Sequence, residues 1–282
     1  MGTNDGENIR KTGAPEWATQ PFQDFLDFIK RLLEVVELST TGISILRGMP
    51  RLVEVLASVK EVHDTPVAKG KLDRARRQAE LAEREASTGF PLIHAQATVS
   101  LWGALEDLLR TFVASWLQHV PAALLNPPLS TCKVAIGDYE RLSPEEKGLF
   151  MADLLDRAIN GSLKLGVTRF ETLLEPLGLS GAIADDIRRD IFELSQVRHV
   201  IAHRRGIADR RLAEACPWLP LAVGKPVIVT HNDIHRYHTA VGLYVTELIY
   251  RVGEHFGVSD IRNEAKRDEL GDGSASEGKH VQ

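Results

Sequence analysis

One segment of the chain combines the two residue types best suited to phosphate chemistry. Residues 196–206 read Gln-Val-Arg-His-Val-Ile-Ala-His-Arg-Arg-Gly. An arginine can hold a phosphate through two parallel hydrogen bonds, and a histidine titrates near neutral pH, where it can act as a general acid or base. Arg198 and His203 are therefore candidate catalytic residues, although the spacing Arg-x-x-x-x-His alone is expected by chance in a chain of this composition.

The charge around this segment supports contact with a phosphate. Residues 188–211 contain seven arginines and three acidic residues, whereas the whole chain has a net charge of −5. A basic island in an acidic protein is the local pattern expected of a surface that binds nucleic acid. We expect Arg204 and Arg205 to contact phosphates without taking part in catalysis. The alternative is that cations collect at a helix C-terminus because the helix dipole favours them there.

A helix must position these residues. Apolar side chains fall on one face of a predicted helix over residues 181–203, and they are Ile183, Ile187, Leu194, Val197 and Ile201. Gly206 follows where a left-handed C-terminal cap would lie. In this helix Arg198 and His203 are separated by about 140° around the axis. They therefore flank one side of the helix end and could border a shared cleft.

Helical patterns dominate most of the remaining sequence. Apolar periodicity and helix-forming composition predict further helices in residues 22–36, 52–59, 71–86, 101–116, 143–159, 168–177 and 230–256. Two of them begin with capping boxes, Ser143 with Glu146 and Thr230 with Asp233. Residues 212–229 are predicted to form a loop with a brief strand over 227–229. The sequence therefore predicts an all-α fold, an antiparallel helical bundle.

Composition divides the chain into four regions. Glycine-rich and polar ends predict disordered tails over residues 1–20 and 258–282. Between them we predict an N-terminal helical segment over residues 21–89 and a helical domain over residues 90–257.

Composition also excludes several classes of protein. Two cysteines, Cys132 and Cys216, are too few for a disulfide scaffold or a cysteine-based zinc site. The sequence shows no secretory signal pattern and no apolar stretch long enough to cross a membrane. We therefore expect a cytoplasmic protein that does not associate with membranes.

A second group of residues points to a different chemistry. His231, His235 and His238 are spaced by four and three residues, which places them on one helix face in a geometry suited to zinc or iron. Helical metal sites normally take further ligands from other helices, and the sequence offers no partner motif. The alternative is that these rings face solvent or a loop, and we predict no bound metal or other cofactor.

The arginine–histidine segment resembles a known family signature. Arg198-His199-x-Ile201-Ala202-His203-x-x-Gly206, preceded by Phe192-Glu193-Leu194, resembles the motif of HEPN-domain proteins: an arginine, a polar residue, three variable residues and a histidine. Residues 100–110, with an aromatic and an acidic residue, resemble the first helix of the same domain. The resemblance covers about residues 90–256, and it is strongest over residues 192–211.

This resemblance implies a fold, an activity and roles for individual residues. HEPN domains are α-helical bundles, commonly homodimeric, and many are metal-independent ribonucleases. Arg198 and His203 correspond to the family's catalytic positions, and His199 to its polar accessory position. The expected reaction is attack of the RNA 2′-hydroxyl on its own phosphodiester. In a two-fold dimer, the second copy of the motif would supply a second histidine.

The resemblance leaves other roles open. Glu106 could orient the site, or it could form an ion pair with Arg110 one helical turn away. Some HEPN proteins lack activity, so the alternative function is a non-catalytic module that binds RNA, a nucleotide or a protein. An active enzyme of this kind would be a candidate toxin or antiviral defence effector, partnered by an antitoxin or regulatory protein.

Overall fold

A computed structural model describes residues 13–59, 65–159 and 165–257. These residues contain ten α-helices and no β-strand, which confirms the predicted all-α fold. The α-helices are α1 (Glu16–Leu46), α2 (Met49–Val59), α3 (Pro66–Ser87), α4 (Pro91–His119), α5 (Ile136–Glu140), α6 (Pro144–Ile159), α7 (Val167–Leu174), α8 (Asp185–Arg204), α9 (Arg210–Ala215) and α10 (His231–His255). Short 3₁₀ helices follow at Pro121–Leu125, Leu129–Thr131 and Glu175–Leu177.

Local sequence signals define several helix ends. Before α6, the backbone N–H of Glu146 donates to the Ser143 hydroxyl, and the backbone N–H of Ser143 donates to the Glu146 carboxylate, as the capping box predicts. The same reciprocal pair joins Thr230 and Asp233 before α10. Gly178 is left-handed with φ 73° at the end of the Glu175–Leu177 3₁₀ turn, where glycine is the usual residue.

The described chain folds into two units. The first comprises residues 13–28, 104–159, 165–192 and 239–257, and the second comprises residues 29–59, 65–103 and 193–238. The boundary predicted between residues 89 and 90 lies inside the second unit.

The first unit has an aromatic core and a buried ion pair. Phe22, Phe112 and Trp116 are almost fully buried, and their rings pack at centroid distances of 4.9 and 5.5 Å. Arg251, 8% exposed, donates to Glu171 at 2.9 Å, and the hydroxyl of Tyr244 donates to the same carboxylate. This pairing satisfies charges that burial would otherwise make costly.

The second unit buries one face of α8. Leu194 and Val197 of the predicted apolar stripe are at most 1% exposed, as is Val200, whereas the predicted Ile187 and Ile201 are half-buried. The other buried apolar residues of this unit include Leu101, Trp102, Ala208, Leu212, Cys216 and Ile234. The helix begins at Asp185, four residues later than predicted, so Ile183 lies outside it.

The predicted N-terminal tail was too long. Helix α1 begins at Glu16, so residues 16–20 are helical. The Trp17 ring stacks on His119 at a centroid distance of 4.5 Å, and the Ser115 hydroxyl donates to the Trp17 carbonyl. These tertiary contacts order residues whose composition resembles a tail. Residues 13–15 precede this helix. The described residues do not include residues 1–12 of the predicted tail or the predicted C-terminal tail, residues 258–282.

The predicted loop over residues 212–229 was also partly wrong. Residues 212–215 belong to helix α9, which ends at Ala215. The helix forms because Asp209 caps its start by accepting a hydrogen bond from the Leu212 N–H at 2.8 Å. Residues 227–229 form no strand. The only bridge described here joins Ile207 and Pro226. None of the helices in the described ranges is long and apolar enough to cross a membrane.

His94 in the second unit is buried in an environment that favours its neutral form. The residue is 3% exposed, its ring centre lies 5.9 Å from that of His231, and its Nδ1 has no hydrogen-bond partner within the described residues. Burial, and next the charge of His231, lower the pKa of His94; the backbone of Val229 and Gly89 and the charge of Asp233 oppose that shift.

We expect His94 to make the folded state less stable in mild acid. Because its pKa is lower when folded, the unfolded chain binds the proton more readily, and the free energy of unfolding falls as pH drops below about 6.5. One histidine contributes a slope of at most about 1.4 kcal/mol per pH unit.

Urea unfolding is measured between pH 7.5 and 5, values chosen to span roughly the titration of histidine. The free energy of unfolding should depend less on pH in His94→Phe than in the wild-type protein. The exposed-site control His235→Ala should keep the wild-type slope. An identical slope for His94→Phe and wild type would contradict this prediction.

Candidate functional site

The predicted catalytic residues lie on the C-terminal half of α8, in the second unit. Arg198 and His199 are half-buried and His203 is exposed, while Val197 and Val200 anchor the opposite side of the helix in the core. A rigid helix with one face packed in this way fixes the positions of the side chains on its other face. The site therefore combines a fixed backbone with polar groups that solvent can reach.

Trp102 on α4 supports Arg198. The guanidinium carbon of Arg198 lies 5.3 Å from the centre of the Trp102 ring, and this indole is only 4% exposed. A guanidinium over an indole face is held by a cation–π interaction, which is stronger where water is excluded. The buried Trp102 ring therefore orients the planar guanidinium of Arg198. Trp102 belongs to the stretch 100–110 whose aromatic residue the resemblance noted, but the sequence did not predict its contact with Arg198.

The two histidines of the motif lie side by side. The ring centres of His199 and His203 are 4.9 Å apart, with the ring planes inclined by 54°. Burial lowers the pKa of His199, and the nearby charges of His203, Arg211 and Arg198 lower it further. The His199 ring is therefore neutral over more of the range near neutral pH and is able to accept a proton. Two imidazoles are thus present within one copy of the chain.

A tight turn after α8 brings further arginines to this site. Arg205 and Gly206 both have left-handed backbones, with φ 56° and 72°, and the Gly206 N–H donates to the Val200 carbonyl at 3.1 Å. Glycine adopts this conformation at little cost, whereas arginine does so less readily. The turn leads into α9, and Arg204 at the end of α8 lies 3.8 Å from Asp209, the residue that caps the start of α9.

Arginines and histidines follow one another at the end of α8 and the start of α9 and form one basic segment. We call it the arginine–histidine surface, and it consists of Arg198, His199, His203, Arg204, Arg205, Arg210 and Arg211. Arg204 lies 3.8 Å from Asp209 and keeps 63% of its side chain exposed. Asp209 also caps α9, so its charge is shared between two partners. Arg204, Arg205, Arg210 and Arg211 are all exposed, so they present positive charge to solvent.

Glu193 has a structural role that sequence reasoning missed. It is fully buried, and its carboxylate accepts hydrogen bonds from the Tyr237 hydroxyl at 2.7 Å, from the indole N–H of Trp218 and from the guanidinium of Arg236. The sequence places it one helical turn before Val197 but gives no sign of these partners. Its charge also contributes to the pKa of the buried Cys216, which is raised to about 12 mainly by burial, so this thiol is not a nucleophile.

Glu106 has its described partner in the first unit. It accepts a hydrogen bond from Arg169 at 3.1 Å, and Arg169 also donates to Asp156. Arg110, the predicted partner of Glu106, forms a two-point contact with Asp153 at 2.8 and 3.0 Å. Asp153 on α6 offers both carboxylate oxygens to the guanidinium, which is the two-point geometry of strong arginine–carboxylate pairs. A site-orienting role for Glu106 stays a prediction.

The second histidine group lies at the start of α10. His231 and His235 are exposed, His238 is half-buried, and the described ranges contain no group of three or more histidine, cysteine, aspartate or glutamate side chains able to hold a metal ion. The described neighbour of the His231 ring is the buried His94. The expectation that no metal binds to these histidines stays a prediction.

Comparisons of the chain with models of protein families, with curated proteins and with solved structures found no match. The resemblance to HEPN domains therefore depends on the motif in residues 192–211, and the assignment of a function depends on the geometry described above.

Proposed function

We propose that the protein is a metal-independent endoribonuclease of the HEPN type. The observation that carries this proposal is the pair of imidazoles, His199 and His203, with centres 4.9 Å apart on an arginine-rich helix end. Cleavage of RNA without a metal needs one group to accept a proton and another to donate one. It also needs a cation to stabilise the charge that develops on the phosphoryl oxygens. Arg198, oriented by Trp102, is suited to that role.

The reaction follows from these groups. The neutral His199 ring accepts the proton of the RNA 2′-hydroxyl, and the 2′-oxygen attacks the adjacent phosphorus. The bond between phosphorus and the 5′-oxygen breaks, and His203 in its protonated form donates a proton to that leaving oxygen. The products are a 2′,3′-cyclic phosphate and a free 5′-hydroxyl. His199 then releases its proton to water and His203 takes one up, which restores both rings.

The surrounding arginines favour an RNA substrate. Arg204, Arg205, Arg210 and Arg211 add positive charge beside the histidines, and such charges bind phosphates along a nucleic-acid strand irrespective of sequence. The chemistry itself requires the 2′-hydroxyl, which DNA lacks. We therefore propose that RNA is the substrate and that DNA is at most a competitor.

The resemblance adds three further proposals. The helices form a HEPN-like bundle, two copies associate beside residues 192–211, and the cleavage activity serves a toxin or defence role under the control of a partner protein in the cytoplasm. The pairing of His199 with His203 means that one copy of the chain already contains two imidazoles, so dimer formation is not needed to supply the second one.

Cleavage of RNA is expected to persist in excess EDTA. The purified protein is incubated with end-labelled single-stranded RNA, with and without the chelator, and the fragments are tested for 2′,3′-cyclic phosphate ends. Equal rates and cyclic ends are expected, because the described site offers imidazoles and a guanidinium but no cluster of metal ligands. The variants His231→Ala and His235→Ala provide matched histidine controls and should retain activity.

Loss of cleavage in EDTA, or in the His231→Ala variant, would favour a metal-dependent reaction and contradict the proposal. Binding of RNA without any cleavage would instead support the non-catalytic module.

A further inference from the structure

Trp218 differs from the buried tryptophans of this protein. Trp102 and Trp116 are 4% and 0% exposed, whereas Trp218 is 44% exposed in the loop that follows α9. A large exposed aromatic ring is the side chain on which a nucleic-acid base can stack, since every base presents a flat π surface. Its neighbours in the sequence are Pro217, Leu219 and Pro220, and prolines restrict the backbone on either side.

Glu193 holds this exposed ring in one place. The indole N–H of Trp218 donates to the fully buried Glu193 carboxylate, which is itself held by Tyr237 and Arg236. The nitrogen edge of the ring is thus anchored while nearly half of the residue stays accessible. A ring fixed in this way loses less conformational entropy when a ligand binds than a mobile side chain does.

The loop that carries Trp218 is attached beside the candidate active site. Its later residues form backbone hydrogen bonds with the segment directly after the left-handed turn, from the Val227 N–H to the Gly206 carbonyl at 2.7 Å and from the Ala208 N–H to the Lys225 carbonyl at 2.9 Å. Its first residues follow α9, which begins with Arg210 and Arg211. The ring is also tied to the same helix as the catalytic residues, since its partner Glu193 and the residues Arg198 and His203 all lie on α8.

We propose that Trp218 is a base-stacking residue that directs the site to single-stranded RNA. This inference rests on the proposed function, because it assigns a base to Trp218 while the arginine–histidine surface binds the phosphates. An exposed ring combined with basic residues is the recurring design of single-strand binding surfaces. Bases in an RNA duplex are already stacked on each other and cannot reach such a ring. Trp218 thus distinguishes single strands from duplexes.

The test separates binding from cleavage by using His203→Ala as the parent protein. Affinities are measured for an oligoadenylate strand and for an RNA duplex of the same length. Adding Trp218→Ala should weaken binding of the single strand about tenfold or more and leave binding of the duplex unchanged. Trp218→Phe keeps an aromatic ring without the donor to Glu193, so it should retain most of the affinity. Val223→Ala, at another exposed residue of the loop, is the matched control and should bind as the parent does.

Fluorescence provides a second readout that does not depend on affinity. Stacking should quench tryptophan emission when the parent binds the single strand, and Trp218→Phe should remove this quenching although it still binds. Circular dichroism of each variant checks that the fold is retained.

Three outcomes would overturn the inference. Unchanged binding of the single strand by Trp218→Ala would show that the ring makes no contact with RNA, while the proposed function would stand. Equal weakening for strand and duplex would show that Trp218 acts only through the structure of the site. Failure of the His203→Ala parent to bind RNA at all would overturn the proposed function and this inference together.

Discussion

His203→Ala is expected to lower the rate of RNA cleavage by about 10²–10⁴-fold, the usual contribution of a positioned acid or base. The exposed ring adjoins His199 and lies outside the apolar face of α8, so its loss should leave the helical circular dichroism spectrum unchanged. Binding of RNA above neutral pH, where a typical histidine is uncharged, should also be nearly unchanged. Single-turnover cleavage of labelled RNA and a binding titration on the same preparation measure the two effects separately.

Arg198→Ala should also lower the rate of cleavage strongly, but through a different property. The substitution removes the guanidinium that Trp102 orients, and loss of one transition-state donor costs about 10²–10³-fold in rate. It also removes one phosphate contact, so the slope of log affinity against log salt should fall by about one. Arg76→Ala, at an exposed arginine paired with Glu54 in the same unit, is the matched control and should change neither property.

The combination of results decides between the functions. Full activity in either Arg198→Ala or His203→Ala would show that the assigned catalytic roles are wrong. Loss of binding in Arg198→Ala without any cleavage by the wild-type protein would show that the motif binds RNA only.

Glu193→Ala is expected to destabilise the protein by about 3–5 kcal/mol, the range observed when one partner is removed from a buried ion pair. The carboxylate is fully buried, and its loss leaves Arg236, the Tyr237 hydroxyl and the Trp218 indole without this acceptor. This is a large share of the roughly 5–15 kcal/mol that stabilises a typical folded domain. Urea unfolding followed by circular dichroism gives the change in the free energy of unfolding.

Two further variants make this stability prediction specific. Glu193→Gln keeps an acceptor oxygen but loses the charge, so it should be less destabilising than Glu193→Ala. Glu83→Ala removes a glutamate from an ion pair with Arg47 in which both side chains are about half exposed, and it should cost at most about 1 kcal/mol. Equal effects of Glu83→Ala and Glu193→Ala would contradict a structural role for the buried carboxylate.

Local sequence patterns predicted much of the secondary structure. The capping boxes at Ser143 and Thr230 mark helix starts in the structure, and the apolar spacing of α8 predicted that Leu194 and Val197 are buried. The errors lie where tertiary contacts outweigh local composition. Trp17 orders a stretch that resembled a tail through its contacts with His119 and Ser115, which belong to α4.

In the candidate site, too, some features follow from the local sequence and others only from tertiary contacts. The sequence by itself determined which residues carry charge and protons, and its apolar pattern placed Arg198 and His203 on one helix. Such features depend on residues within about one helical turn, and local hydrogen bonding and side-chain spacing are enough to define them.

Only the tertiary structure decided which distant side chains complete the site. Trp102 on α4 supports Arg198 on α8, and the partners of Glu193 lie 25 to 44 residues away in the sequence. It also assigned Arg110 to Asp153, 43 residues away, instead of to the Glu106 carboxylate that local spacing suggested. Contacts of this kind follow from how helices pack, and packing depends on the complementary shapes of whole apolar faces, which no local pattern of residues contains.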